Sequence, residues 1–176
     1  MRIKRLLFSI IICIFVVALC SCSKAPSSAT LLIYMCGSDL ESKTGIASEN
    51  INELLSANIP DNVNVIIETG GSTKWQSNNI PSDKIMRYVV KDHRLQEIAS
   101  LDDACMGSAD TLQSFVEFGT TAYPSDNTML LLWDHGGGTV KGACFDERYN
   151  NDTLTVPELK EALEGGLQGK RLSVVG

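Results

Sequence analysis

The residues best suited to chemistry are the run Asp134-His135-Gly136-Gly137-Gly138, which directly follows the apolar segment Thr128–Trp133. A histidine can accept and return a proton near neutral pH. Glycines let the backbone turn tightly and bring bare amide groups close to a ligand, where they can receive an oxyanion. The run therefore predicts half of an acyl-transfer site. The other half is a nucleophile, which the run does not contain.

Three other interpretations of this glycine run stay open. A nucleotide site would use the glycines for phosphate, but their spacing is not that of a P-loop or a dinucleotide fingerprint. An esterase of the α/β-hydrolase type can carry a His-Gly-Gly-Gly oxyanion loop, but it also needs a Gly-x-Ser-x-Gly elbow, which the 176 residues lack. The third interpretation is a tight turn beside a solvated histidine.

The elements that must position this run alternate between strands and helices. Alternation with continuous apolar strands predicts an α/β fold whose mostly parallel sheet is covered on both faces. His135 follows a buried strand, so its ring is expected at the carboxyl edge of the sheet, where ligands collect. The predicted strands are Thr30–Cys36, Val63–Thr69, Thr128–Trp133 and Leu172–Val175, and Lys84–Lys91 with Leu95–Ile98 predict a polar hairpin inserted before the second helix.

Three helices are predicted from apolar residues at helical spacing, with signals at their ends. Ser108 is expected to cap the second helix, and Thr155 with Glu158 predicts a capping box for the third. Gly165-Gly166 is expected to end that third helix. The apolar positions are Ala47, Ile51, Leu54 and Leu55 in the first helix, Leu112, Phe115 and Val116 in the second, and Leu159, Ala162 and Leu163 in the third.

Three segments in the same order resemble the clostripain family of cysteine peptidases. They are Tyr34–Glu41, Leu131–Gly138 and Gly142–Asp146, and the resemblance runs from about Thr30 to Gly176. It implies a caspase-like three-layer sandwich with a mostly parallel central sheet, incomplete in this chain. It also implies a cysteine endopeptidase that cleaves after Arg or Lys.

The resemblance assigns roles to individual residues. His135 is expected to act as general base and acid, and the Gly136 amide to hold the oxyanion. The nucleophilic Cys is expected just beyond Gly176, so residues 1–176 alone are expected to be inactive. Several relatives are cut between the His and Cys strands, which makes Arg148 the candidate here rather than Lys141. Calcium, which some relatives use, is conceivable at Asp146 and Glu147, but no cofactor is required.

The N-terminus predicts export. Arg2, Lys4 and Arg5 precede an apolar run, as in a secretory signal, and Leu19-Cys20-Ser21-Cys22 resembles the lipobox of bacterial lipoproteins. Residues 1–21 are thus expected to be a lipoprotein signal peptide, with Cys22 lipidated. Residues 22–29 would form a tether and 30–176 the N-terminal portion of the peptidase domain. A plain signal peptide or a weak anchor is the alternative.

The composition favours a folded domain and argues against a disordered or nucleic-acid-binding protein. The chain carries 15 Lys+Arg against 21 Asp+Glu, with 44% hydrophobic residues, which suits one folded domain and argues against disorder. A pI near 4.9 argues against nucleic-acid binding.

Cys36, Cys105 and Cys144 are an odd number of cysteines without metal-ligand spacing, so neither a disulfide framework nor a zinc site is expected. Cys105 superficially imitates a nucleophile motif, but its place before a helix favours a helix-entry role, and Cys144 is expected to be a packed thiol.

The sequence therefore predicts a lipid-anchored cysteine endopeptidase of the bacterial cell envelope, acting on proteins or peptides with basic residues. The alternatives are a non-catalytic surface lipoprotein of the same fold that binds a peptide or protein partner, and a fragment of a His-Gly-Gly-Gly esterase. Asp39 is expected to cap the first helix or shape the rim of the site. Trp133 is expected in the core, and His93 in solvent.

Overall fold

The computed structural model describes residues 27–76 and 79–176. The predicted signal peptide 1–21, the lipidation site Cys22 and the first part of the predicted tether lie outside the described residues. Within the described ranges, no helix is long and apolar enough to cross a membrane.

The described chain forms a mixed α/β structure around a six-stranded sheet with the strand order β4-β3-β2-β1-β5-β8. A separate hairpin is made by β6 and β7. The strands are β1 Ser27–Cys36, β2 Val63–Gly70, β3 Ile85–Lys91, β4 Arg94–Leu101, β5 Ser125–Trp133, β6 Ala143–Asp146, β7 Asp152–Leu154 and β8 Val174–Val175. The helices are α1 Ile46–Ser56, α2 Ala109–Ala122, α3 Gly138–Lys141 and α4 Val156–Leu167, with a π-helical turn at Leu40–Thr44 and a 3₁₀ turn at Glu147–Tyr149.

The centre of the sheet is parallel, as predicted. β1 pairs with β2 on one side and with β5 on the other, and β8 pairs in parallel with β5. The first strand starts at Ser27, three residues before the predicted start and within the predicted tether.

The hairpin of β3 and β4 corrects one prediction. It is not a polar insertion, because β3 pairs antiparallel with β2 and extends the central sheet. Five side chains of β3 are buried, including that of Arg87, whereas most of β4 is exposed. Because successive residues belong to opposite core clusters, β3 is a sheet strand covered on both faces. The buried apolar residues are Ile85, Met86, Tyr88 and Val90.

Helices and loops cover both faces of the sheet, which gives three layers. Leu32 and Tyr34 of β1 face α2 and α4, whereas Ile33 and Met35 face α1, because successive strand residues point to opposite sides. All four side chains are at most 5% exposed. The pattern confirms the prediction of a three-layer sandwich with a mostly parallel sheet.

The ends of the helices confirm two of the three predicted signals. The Ser108 hydroxyl accepts a hydrogen bond from the Asp110 amide, and Thr155 with Glu158 forms the capping box. Gly165-Gly166 does not end α4, which continues to Leu167. A side chain at Gly166 would meet Val116 and the α2 backbone at about 3 Å, so the glycines allow the two helices to pack closely.

A buried ion pair joins the sheet to α2. Arg87 Nε of β3 lies 2.5 Å from Glu68 Oε2 of β2, and both side chains are almost completely buried. The guanidinium also donates to Ser114 Oγ and lies 4.7 Å from the ring centre of Phe118. Burial raises the pKa of Glu68 to about 7, although the neighbouring Arg87 opposes the change. Glu68 therefore depends on its cation to remain ionised in the core.

Replacing Arg87 with Met should lower the free energy of unfolding by about 3–5 kcal/mol, because an acid would be left in the core without its cation. The loss should be larger at pH 8 than at pH 5. A buried carboxyl with a raised pKa keeps its proton in the folded state, whereas the unfolded chain releases it near the usual value. Urea unfolding at both pH values measures the effect.

Two further variants test the origin of this loss. Arg94→Met on exposed β4 should change stability by less than about 0.5 kcal/mol. The double variant Glu68→Leu/Arg87→Met should recover much of the loss, since no buried charge remains. Equal losses for Arg87→Met at the two pH values would contradict the assignment to an unpaired acid.

Candidate active site

The candidate site lies where β1 and β5 end side by side. Met35 of β1 pairs with Trp133 of β5, so the residues that follow the two strands emerge together at the carboxyl edge of the sheet. They are Ser38 and Asp39 after β1, and Asp134 and His135 after β5. His135 lies at this edge of the sheet, as predicted.

His135 is paired with Asp39. Its Nε2 lies 2.8 Å from Asp39 Oδ1, and both side chains are partly exposed, at 47% and 40%. The hydrogen bond with His135, together with that from Lys43, lowers the pKa of Asp39 below its usual value. Asp39 makes no side-chain capping bond, and Gly45 precedes α1. The structure therefore does not support the expected capping role, and Asp39 lies at the rim of the candidate site, which is the other position expected for it.

Asp134 locks the ends of three elements together. Its Oδ1 accepts a hydrogen bond from Ser38 Oγ at 2.5 Å, and its Oδ2 accepts one from the Phe145 backbone amide at 2.5 Å. Burial raises the pKa of Asp134 above the usual value for Asp, while these hydrogen bonds favour the ionised form. The carboxylate thus ties the segment after β1 to the end of β5 and to β6.

Ser38 has a left-handed backbone, with φ of 46°, which costs energy for a residue other than glycine. Two hydrogen bonds and the burial of its side chain offset that cost. Its hydroxyl donates to Asp134, its carbonyl accepts from Ser72 Oγ at 2.9 Å, and its side chain is buried. The resulting turn directs Asp39 toward His135.

The glycine run forms a tight reversal. The Gly137 N–H donates to the Gly142 carbonyl at 2.7 Å, and α3 lies between them. A side chain at Gly142 would lie 2.0 Å from the Leu154 carbonyl oxygen, so this turn accepts glycine alone. Around Gly136 the space is open, with no heavy atom within 4 Å of an added Cβ. A ligand can therefore approach the backbone directly beside His135.

The His135 ring is also oriented by an aromatic neighbour. Its centre lies 6.2 Å from that of Phe145, and the two rings meet edge to face at 89°. Phe145 is itself fixed through its amide, which donates to Asp134. Asp39 on one strand end and Phe145 on β6 therefore both constrain the imidazole.

The described cysteines are placed as packed or structural thiols. Cys105 stands in the turn before α2, 3.5 Å from Asp152 Oδ2, and burial raises its pKa to about 12. An attacking thiol needs a lowered pKa, so this environment supports the predicted helix-entry role. Cys144 is fully buried, and burial raises its pKa as well. Cys36 lies in the same apolar cluster.

Asp146 and Glu147 bind backbone and hydroxyl groups. Buried Asp146 accepts from the Met106 and Arg148 amides, and Glu147 accepts from Ser42 and Thr73. Although burial opposes it, these bonds lower the pKa of Glu147. Within the described ranges, no three His, Cys, Asp or Glu side chains are arranged to hold a metal ion. Both carboxylates thus join the loops around the site.

The other predicted residues lie away from His135 or serve packing. Arg148 occupies the 3₁₀ turn after β6, with its guanidinium 2.7 Å from Asp103. Trp133 packs against the α1 side of the core and donates to Asn50. His93 is exposed, as predicted, but its Nδ1 also lies 2.8 Å from the Leu55 carbonyl oxygen.

The sequence alone did not predict that Asp39 hydrogen-bonds to His135 or that Ser38 hydrogen-bonds to Asp134. Each of these polar residues follows a predicted buried strand, and that placement was the available signal. Their contact depends on β1 and β5 being neighbours, a pairing across almost 100 residues of sequence.

Asp134→Asn should destabilise the protein by about 1.5–3 kcal/mol, because a charged acceptor of two hydrogen bonds is replaced by a neutral amide. The amide NH₂ would also face either the Ser38 hydroxyl or the Phe145 N–H. Asp126→Asn, at the exposed start of the same strand, is the matched control and should change stability by less than about 0.5 kcal/mol. Chemical denaturation measures both. Equal stability of the two variants would refute the locking role of Asp134.

Comparison with known proteins places this arrangement in a family. The sequence profile of the clostripain family matches residues 33–176. Among curated proteins, no significant match is found.

Several solved structures share the fold. A secreted C11 cysteine protease of Bacteroides thetaiotaomicron in complex with an irreversible peptide inhibitor matches with a TM-score of 0.64 and 20% identity, over 85% of this chain and 41% of that one. A further structure of a secreted C11 cysteine protease of the same organism, named iotapain, gives a TM-score of 0.62 and 12% identity over 86% of this chain and 46% of that one. An inactive zymogen C11 protease of Parabacteroides distasonis gives 0.56 and 22% over 86% and 41%. The chain thus spans less than half the length of these matching proteins.

Proposed function

The chain belongs to the clostripain family of cysteine peptidases, and on this basis we propose that the protein is an exported, lipid-anchored endopeptidase that cleaves after Arg or Lys. His135 is its general base and acid, and the Gly136 amide binds the oxyanion. The substrates are proteins or peptides with basic residues. Since the chain spans only part of the matching structures, the activity is assigned to the full-length protein.

One observation supports the mechanism above the others: His135 follows a central strand that has a parallel neighbour on each side. On one side β1 delivers Asp39. On the other, Gly176 continues β8 by donating to the Leu130 carbonyl and accepting from the Leu132 amide, at 3.0 and 2.8 Å. A residue a few positions further along that strand would lie beside His135, because paired strands are about 4.8 Å apart. The nucleophilic Cys is proposed at this position.

The proposed reaction uses one proton shuttle. His135 takes the thiol proton, and the thiolate attacks the scissile carbonyl carbon to give a tetrahedral oxyanion. The protonated ring then gives its proton to the leaving amine, which breaks the peptide bond and leaves an acyl-enzyme for water to hydrolyse. An oxyanion donor such as the Gly136 amide is typically worth about 3–4 kcal/mol in the transition state. The open space beside Gly136 is consistent with a substrate at that point.

Full-length protein should cleave peptide reporters that end in Arg or Lys, and His135→Ala should lower kcat/KM by at least about 10³-fold, because the proton shuttle is lost. His93→Ala is the matched control, since this histidine lies in the turn between β3 and β4, and it should keep activity within about twofold. Cys105→Ala should also remain active. Initial rates with the reporters measure all three.

Other outcomes of these assays decide between the competing functions. Retained activity in His135→Ala would refute the mechanism, and turnover by residues 1–176 alone would show that a thiol within this range attacks. A folded full-length protein that binds peptides without cleaving them would favour the non-catalytic lipoprotein.

Mass mapping of the same proteins tests processing after Arg148, which should be cut in the wild type and intact in His135→Ala.

The lipid anchor is proposed from the lipobox-like sequence at Cys22. Expressed in a bacterial host, the full-length protein should partition into the detergent phase, and Cys22→Ser should move it to the aqueous phase or leave its signal uncleaved. Cys105→Ser serves as the control, since that thiol lies within the folded domain. Aqueous partition of the wild type would contradict lipidation and leave the proposed peptidase activity unaffected.

A further inference from the structure

Asp39 is the one described carboxylate that hydrogen-bonds to the His135 ring. Its Oδ1 is 2.8 Å from His135 Nε2, and its Oδ2 is 3.0 Å from Lys43 Nζ. A carboxylate accepts hydrogen bonds but cannot donate them, so the ring proton in this contact belongs to Nε2. Nδ1 of the neutral ring is then the free base.

The order of the strands shows that Asp39 contacts His135 from the β1 side, opposite to β8. β5 lies between β1 and β8, so the histidine after β5 stands between Asp39 on one side and the extension of β8 on the other. An orienting acid, a base and a nucleophile in a row is the arrangement by which a triad prepares its imidazole. The same acid stabilises the imidazolium that forms during the reaction.

Asp39 is held in place before any substrate binds. Ser38 adopts its left-handed conformation and is fixed by Asp134 and Ser72. Strain that surrounding hydrogen bonds maintain is characteristic of functional sites. Asp39 makes no capping bond, and its side chain is 40% exposed, so helix formation and core packing do not account for its position.

We propose that Asp39 is the positioning residue of His135: it holds the neutral ring with its proton on Nε2 and directs the basic Nδ1 toward the nucleophile strand. This role rests on the proposed peptidase function. It adds to that function a third group, contributed by the segment after β1.

The test compares Asp39→Ala and Asp39→Asn with Lys43→Met in the full-length protein. Asp39→Ala should lower kcat by about 10–100-fold with KM within about twofold, because the base is misoriented while substrate binding is intact. Asp39→Asn keeps a hydrogen-bond acceptor and should lose less, about 3–10-fold. Lys43→Met removes the other partner of the same carboxylate and should stay within about twofold.

Nitrogen NMR of the His135 ring, assigned with His135→Gln, gives a readout that does not need turnover. The neutral ring should carry its proton on Nε2 in the wild type and become a mixture of the two forms in Asp39→Ala. A wild-type proton on Nδ1, or an Asp39→Ala protein with unchanged kcat, would overturn the proposal. If the wild type fails to cleave any reporter, the proposed function fails, and the ring tautomer still decides whether Asp39 orients His135.

Discussion

The parallel pairing of β1 with β5 is the constraint on which the candidate site depends. Eight register pairs run along the two strands and end at Met35 and Trp133. Because the strands run in the same direction, the polar residues after both emerge at one edge of the sheet. The same geometry places β8 on the other side of β5, so the histidine has a strand end on each side.

Carboxylates maintain the loops at this edge. Asp134 joins Ser38 to Phe145, buried Asp146 accepts from the Met106 amide, and Glu147 receives bonds from Ser42 and Thr73. A carboxylate can accept several hydrogen bonds from loop amides that no strand or helix would satisfy. The acidic residues of the β5–β7 region therefore hold the rim together around the partly exposed His135.

The core and the candidate site each contain a pair of charged or ionisable side chains, but only the pair in the core is buried. Glu68 and Arg87 lie between the sheet and α2, and their pairing makes two ionised groups tolerable in an apolar layer. At the edge, Asp39 and His135 are partly exposed, so solvent screens their attraction and the pair contributes little to stability. The Asp39–His135 hydrogen bond can therefore orient the imidazole ring although the stability of the fold does not depend on it.

The sequence by itself determined the local features: the apolar strands, the Thr155–Glu158 capping box, and His135 at the end of a central strand. Its motifs also identified the family, whose profile matches residues 33–176. Tertiary structure decided which strands are neighbours, that the β3–β4 hairpin extends the sheet, and that Gly165-Gly166 packs within a helix. It also decided that Asp39 meets His135, 96 residues away. Periodicity and capping depend on residues a few positions apart, whereas strand order and side-chain contacts depend on burial and pairing across the whole chain.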